Sequence, residues 1–261
     1  KKSCGDGNDV RKGGVLSAMQ SADSRRIYSN LSGGMVDLSL SAAASKAGGK
    51  KDLANFMGVD KSQLKELFDW AKGLDVDNEK NLSSIANPAK NWRSDIMGDA
   101  LHSKPLALNF GSKSSPDIRI VVGTNHGFMH MFKDDTSANE VSESWAFMPY
   151  EVLPNLQTLR NNVPTGVHSV YGIDGSPVAY VKNGASGVET AWLYFGMRRG
   201  GDSYYALDIS DPDSPTFKWR IDASSPGLSE LGQSWSTPVV TTIRSASGTD
   251  KPVLIFGAGY S

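Results

Sequence analysis

The sequence predicts a mainly all-β fold: a β-propeller with four-stranded blades, part of a larger ring, preceded by a small α+β segment. Three observations predict it. Pro105, Pro177 and Pro238 each open an apolar stretch (PLALNF, PVAYV, PVVTTI). Each is followed 18, 19 and 19 residues later by the glycine that ends IRIVVG (Gly123), AWLYFG (Gly196) or PVLIFG (Gly257). A third strand, GFMHMF or SYYALD, then leads to a Trp strand, with Trp145 and Trp219 lying 22 and 23 residues beyond their glycines. Four short β signals repeated in a fixed order mark a propeller blade.

Each piece has a physical reason. Pro cannot donate to a ladder, so it suits the first residue of a strand. The runs IRIVV, AWLYF and PVLIF are apolar on both faces, as expected of strands sandwiched between neighbouring blades. The glycine closing each run permits either a positive φ or a close backbone approach. The Trp of the outer strand is expected to wedge between blades. Two copies are complete and the third stops after its second strand, so residues 97–261 read as about two and a half blades. A closed ring needs about 4–8. The rest is expected beyond Ser261, because open sheet edges invite aggregation.

Residues 1–96 form the predicted α+β segment. RRIYSNLSGGMVDLSL (25–40) reads as a hairpin turning at Ser32-Gly33-Gly34. SAAASKAGGKK (41–51) is small and Gly-rich and reads as a mobile linker. The spacing of Leu64, Leu67, Phe68 and Ala71 predicts a helix over about 60–72, N-capped by Asp60, with Gln63 at the capping-box position and Gly73 at the C-cap. Between the first Trp strand and the second copy lies a surplus, residues 148–175. Its three prolines and paired Asn predict a loop with at most one helical turn. A structural cover and a functional loop both fit it.

Composition excludes several classes. The chain is 39% hydrophobic with a net charge of −1 and no Lys/Arg cluster, which argues against a nucleic-acid partner. No apolar run reaches the ~18 residues of a membrane span. The chain opens at Lys1 without an initiator Met, so a missing leader carries no information. Cys4 is the only cysteine, which removes an internal disulfide and a Cys-based zinc site.

Nucleophile-elbow, phosphate-loop and H-E-x-x-H motifs are missing, and no residue qualifies as a nucleophile or general base. His126 and His130 are four apart across a Gly turn, which favours packed or surface histidines over a metal pair. Capping hydrogen bonds account for His102 and His168. Asp75, Asp77 and Glu79 alternate like the first ligands of a calcium loop. Lys80 and Ala86 then replace its required Gly and Glu, which leaves these three as a weak metal candidate beside solvated acids. Turn-forming roles account for Asp208, Asp211 and Asp213. Arg198 and Arg199 follow the second copy's Gly and read as a solvated hairpin tip or a partner contact.

GDALHSKPL (98–106), VVGTNHGFMHMF (121–132), SWAFMPYEVLPNL (144–156), YGIDGSP (171–177) and GMRRGGDSYYALDISDP (196–212) resemble, in order, the C-terminal propeller of PilY/PilC-type proteins, the tip-associated adhesins and biogenesis factors of type IV pili. The resemblance spans roughly residues 95–257. It implies an exported protein at the outer surface or pilus tip of a Gram-negative bacterium, with a von Willebrand A-like region ahead of this chain. It implies non-enzymatic roles in pilus assembly, surface adhesion, twitching motility and calcium-controlled extension and retraction. The implied partners are minor pilins or other pilus-tip components and a host or abiotic surface. The family's clearest calcium loop, a D-x-D-x-D-G-like run, has no counterpart here. No cofactor is therefore expected in this fragment, and calcium belongs to the full-length protein. HMFKDD…SWAF and YYALDISDP…FKWRI also resemble the Trp-docking motif of PQQ-type quinoprotein dehydrogenases. That alternative shares the ring but finds no converging quinone site here. A periplasmic protein-assembly scaffold is the third class.

Overall fold

A computed structural model describes residue 15 and residues 25–31, 34–78, 92–93, 96–135, 137–138, 140–164, 166–185 and 187–259. Cys4 and Glu79 lie outside them, as do Ser32 and Gly33. The chain divides into two compact units, 1–98 with 132–170, and 99–131 with 171–261.

The described strands form three sheets. The first runs β2-β1-β6-β5-β4-β3, using β1 (Ile27–Ser29), β2 (Val36–Asp37), β3 (Leu106–Asn109), β4 (Ile118–Gly123), β5 (Met129–Asp135) and β6 (Glu140–Phe147). The second is β10-β9-β8-β7, from β7 (Val178–Gly184), β8 (Gly187–Gly196), β9 (Tyr204–Asp208) and β10 (Thr216–Ile221). The third pairs β11 (Val239–Arg244) with β12 (Asp250–Ile255). This is the blade repeat: two four-strand meanders and half of a third. In all three copies the residue after the Pro pairs with the residue two before the Gly: Leu106 with Val121, Val178 with Tyr194, Val239 with Ile255.

The hairpin at 25–40 forms, with Tyr28 opposite Asp37. It then adds to the first blade, because β1 pairs in parallel with β6 through Ile27 and Ala146. Buried Arg25 fastens it. Its guanidinium takes both carboxylate oxygens of Glu143 at 2.5 and 2.9 Å and reaches the Lys72 carbonyl at 3.1 Å.

This added strand separates the two tryptophans. Both lie on the fourth strand of a blade, as expected. Trp145 is wholly buried, whereas Trp219 is only half-buried, its ring 5.8 Å from that of Tyr194. β6 is flanked by β5 and β1, while β10 ends its sheet. The third copy also departs from expectation: Ile255 of its apolar run is 56% exposed and Val239, its pairing partner, 58%, on a sheet of two strands.

Three local expectations are corrected. Residues 41–51 are helical, not a mobile linker: α1 (Leu40–Ala47) and α2 (Lys50–Met57) follow each other. The Ser39 hydroxyl accepts from the Ala42 N–H, and Gly48, at φ 95°, closes the helix. Alanine carries no side-chain entropy cost in a helix, which outweighs the loop-like look of the run. The predicted helix at 60–72 begins four residues late, as α3 (Leu64–Lys72), with no side-chain cap. Of the capping box only the reverse half forms, the Gln63 amide oxygen accepting from the Asp60 N–H at 2.9 Å. Gly73, at φ 107°, is the expected C-cap. Finally, the surplus segment holds more than one turn: a 3-10 helix (Tyr150–Asn155) runs into α4 (Leu156–Asn161). Val152, Leu153 and Leu156 are buried, which supplies the apolar anchor that the prolines obscure. Tyr150 stacks on Phe56 at 4.6 Å, tying this segment to α2. Among the described residues no helix is long and apolar enough to cross a membrane.

Candidate functional site

In the unit holding 99–131 and 171–261, four of the five motifs quoted above converge on the turns where one copy meets the next. The glycines make this possible. Ile173 and Ser234 each stand four residues before their Pro. A Cβ on Gly123 would lie 2.4 Å from the Ile173 carbonyl oxygen, and one on Gly196 would lie 2.8 Å from that of Ser234. Neither glycine has a positive φ, so close backbone approach is the reason for both.

Asn125 knits the cluster. Its N–H and side-chain amide reach the backbone carbonyl and carboxylate of Asp99 at 2.9 and 2.8 Å, and its amide oxygen accepts from the Gly172 N–H at 3.3 Å. Serines two residues before the Pro cap the first and third copies. Ser103 Oγ accepts from the Gly123 N–H at 2.9 Å, and Ser236 Oγ from the Gly257 N–H at 2.8 Å.

One residue further back, three before each Pro, stand His102, Asp174 and Trp235. His102 Nδ1 lies 2.9 Å from both carboxylate oxygens of Asp174, which is buried. The half-exposed imidazole is thus held by the acid of the next copy, not by the backbone cap expected of it. Ser176 completes the residue types of a catalytic relay but not its geometry. Its hydroxyl accepts from the Lys104 N–H at 3.0 Å and donates to the His102 carbonyl at 3.3 Å, so both of its bonds go to backbone groups and not to the imidazole.

Arg198 and Arg199 occupy the 3-10 turn Arg198–Gly200. Arg198 is half-buried and Arg199 exposed, and both lie against aromatic rings. The Arg198 guanidinium lies 5.1 Å from the Trp235 ring centroid. That of Arg199 lies 5.4 Å from Trp235 and 5.2 Å from Tyr171, and its Nη1 donates to the Tyr171 hydroxyl at 2.8 Å. The turn is pinned from below: a Cβ on Gly200 would fall 1.7 Å from the Gly172 carbonyl oxygen.

His130 and the turn aspartates singled out in the sequence have structural duties. His130 is buried in β5, with Nε2 3.4 Å from Thr124 Oγ1. Asp208 accepts from the Ser210 N–H and hydroxyl and from Trp192 Nε1, and Asp211 from the Asp213 N–H, as turn residues should. Asp213 instead pairs with Arg119, a buried cation inside the apolar run of β4. Arg119 also takes Asp117, at 2.7 and 2.9 Å.

In the other unit lie two of the proposed calcium ligands, Asp75 and Asp77; the third, Glu79, lies outside the described residues. Asp75 is buried, while Asp77 is held in a fork by Arg160 at 2.6–3.2 Å, and Arg160 also reaches Glu66 at 2.9 Å. A cation at Asp77 would have to displace that guanidinium. Hydrogen bonding to Arg160 holds the Asp77 carboxyl below its ordinary 3.8, against a smaller opposing effect of burial. The folded-state value is the depressed one. The pair therefore stabilises the fold at neutral pH and loses its contribution as pH falls through that value. Arg160→Met is expected to lower the thermal midpoint at pH 7, and this deficit is expected to shrink as pH falls below the ordinary carboxyl value of 3.8. Thermal melts across that pH range check this.

Repeated antiparallel meanders in constant register, with Trp on the fourth strand and turns locked against the next copy, define a β-propeller segment. Comparison with protein families matches the PilY1 beta-propeller domain over residues 107–261, and the chain belongs to that family. It is 34% identical over 194 residues to the "Type IV pilus biogenesis factor PilY1" of two Pseudomonas aeruginosa strains, covering 65% of this chain and 15% of each relative. A "Type IV pilus biogenesis factor PilY1 homolog" from Xylella fastidiosa is 28% identical over 170 residues, covering 57% of this chain and 13% of that protein. The chain thus spans about 15% of the length of the curated relatives it matches. Among solved structures, the Pseudomonas aeruginosa PilY1 C-terminal domain matches at 30% identity with a TM-score of 0.38, covering 55% of this chain and 26% of that one.

Proposed function

We propose that this chain is the propeller portion of a type IV pilus biogenesis factor and acts by binding, without catalysis and without a cofactor of its own. Family membership together with the convergence of the motifs carries the reading. Residues within the motifs that carry the resemblance, among them Asn125, Gly172 and Gly200, lock one copy's turns to the next, which supports a display surface. On this reading the full protein is exported to the outer surface or pilus tip of a Gram-negative bacterium. There it contacts minor pilins or other tip components and supports adhesion to host or abiotic surfaces. Control of extension and retraction, with any calcium it needs, belongs to the full-length protein.

Deleting the gene is expected to reduce surface pili and twitching, and restoring it to recover both. Unchanged piliation and motility in the deletion strain would overturn the proposal. Dye-linked alcohol oxidation by the purified full-length protein would favour the quinoprotein class instead. Failure of surface labelling on intact cells would favour a periplasmic scaffold.

A further inference from the structure

We propose that Arg198 and Arg199, walled by Tyr171 and Trp235, form a carboxylate-binding site that takes an acidic side chain of a partner peptide. The inference deepens the binding role proposed above by naming the chemistry of the partner.

The contrast with three other arginines supports the argument. Arg25, Arg119 and Arg160 each hold one or two carboxylates. Among the described residues, neither Arg198 nor Arg199 has an acidic partner, although the fold brings both guanidinium groups to one indole. Two cations on one ring repel each other, and an anion between them removes that cost. The position is also built at a cost. Arg198 sits at φ 51°, in the left-handed region that non-glycine residues avoid, and its Nε is shielded from solvent with no acceptor among the described residues. A strained backbone with an orphaned donor persists where the surroundings over-determine it, and such strain clusters at ligand sites. Here the surroundings are the Gly200–Gly172 contact and two hydrogen bonds accepted by Ser234: its Oγ accepts from the Met197 N–H at 2.7 Å and its carbonyl from the Arg198 N–H at 3.1 Å.

The ligand chemistry follows from the donors. A guanidinium offers five N–H groups in a planar fork that matches a planar carboxylate. Exposed Arg199 spends one of them on Tyr171. The aromatic walls suit the apolar stem of a peptide side chain. A polyanion is disfavoured because the chain carries a net charge of −1 and so has no wider positive field to recruit one.

The test uses the whole chain and three probes at equal ionic strength: acetyl-Asp-Glu-Asp-amide, its Asn-Gln-Asn counterpart, and inorganic phosphate. Binding is read from the indole Nε1–H resonance of Trp235, assigned with Trp235→Phe. The acidic peptide should give a saturable shift, with affinity at least tenfold above either other probe and falling as salt rises. Arg199→Ala and Arg198→Gly should each weaken it at least tenfold. Arg198→Gly should keep or raise the thermal midpoint, because glycine relieves the positive φ. The proposal is overturned by no saturable shift, by equal binding of the neutral peptide, or by phosphate binding as tightly as the peptide. It is also overturned if Arg198→Gly lowers the midpoint, which would make Arg198 a structural residue. Peptide binding is measured on the purified chain and piliation in the cell, so the two readings fail separately.

Discussion

Trp145→Ala is expected to lower the unfolding free energy by about 3–5 kcal/mol, and Trp219→Ala by about 1–2 kcal/mol. The two residues hold the same place in the repeat, so the repeat alone predicts equal losses. Burial predicts otherwise. Trp145 is wholly enclosed on a strand with neighbours on both edges, and its removal leaves a cavity that the surrounding backbone cannot close. Trp219 lies half-buried on the last strand of its sheet, where solvent fills much of the vacated space. Guanidinium unfolding followed by far-ultraviolet circular dichroism separates the two. Equal losses would show that the parallel strand β1 adds nothing to the burial of the first indole.

What the sequence made legible is what the backbone itself encodes. Pro at a strand start and Gly at a close approach restrict the chain wherever they stand, so their spacing survives in the primary structure. The constant register of Leu106, Val178 and Val239 with their partners is the structural form of that spacing. The helices were harder to read because their signals were mixed. α1 is mostly Ser and Ala and is followed by Gly48-Gly49, a composition that also suits a loop, and only the Ser39 cap and Gly48 mark its ends. In the segment after β6, Pro154 lies inside the 3-10 helix and masks the buried Val152 and Leu153.

The site divides in the same way. Its glycines were visible, and its pairings were not, because they join residues far apart in the chain. Arg119 looks like a stray charge in an apolar run, and Asp213, which meets it, is 94 residues away. His102 and Asp174 are 72 residues apart, but each stands three before its Pro, so aligning the copies on the prolines would have placed them side by side. Arg198 carried no such signal. Its positive φ and its stacking on Trp235 exist only in the folded chain.

That same alignment misleads at one position, and the error is measurable. Two residues before the Pro stand Ser103, Gly175 and Ser236. Both serines cap the glycine that ends their copy's second strand, so restoring the repeat with Gly175→Ser looks like an improvement. The structure predicts the reverse. A Cβ at Gly175 would lie 2.1 Å from the Gly196 carbonyl oxygen and 2.9 Å from its carbonyl carbon. Both neighbours are backbone atoms and not the far end of a flexible side chain, so the contact is relieved only by moving the chain itself. Gly175→Ser and Gly175→Ala are each expected to cost about 3 kcal/mol, the upper end for overpacking a close contact. The second copy forgoes the serine cap because its two backbones meet directly there. Ser103→Gly in the first copy, which only removes a cap, is expected to cost about 1 kcal/mol. Urea unfolding of the three variants ranks them. Gly175→Ser as stable as the parent protein would mean that the approach at Gly196 is looser than the structure shows.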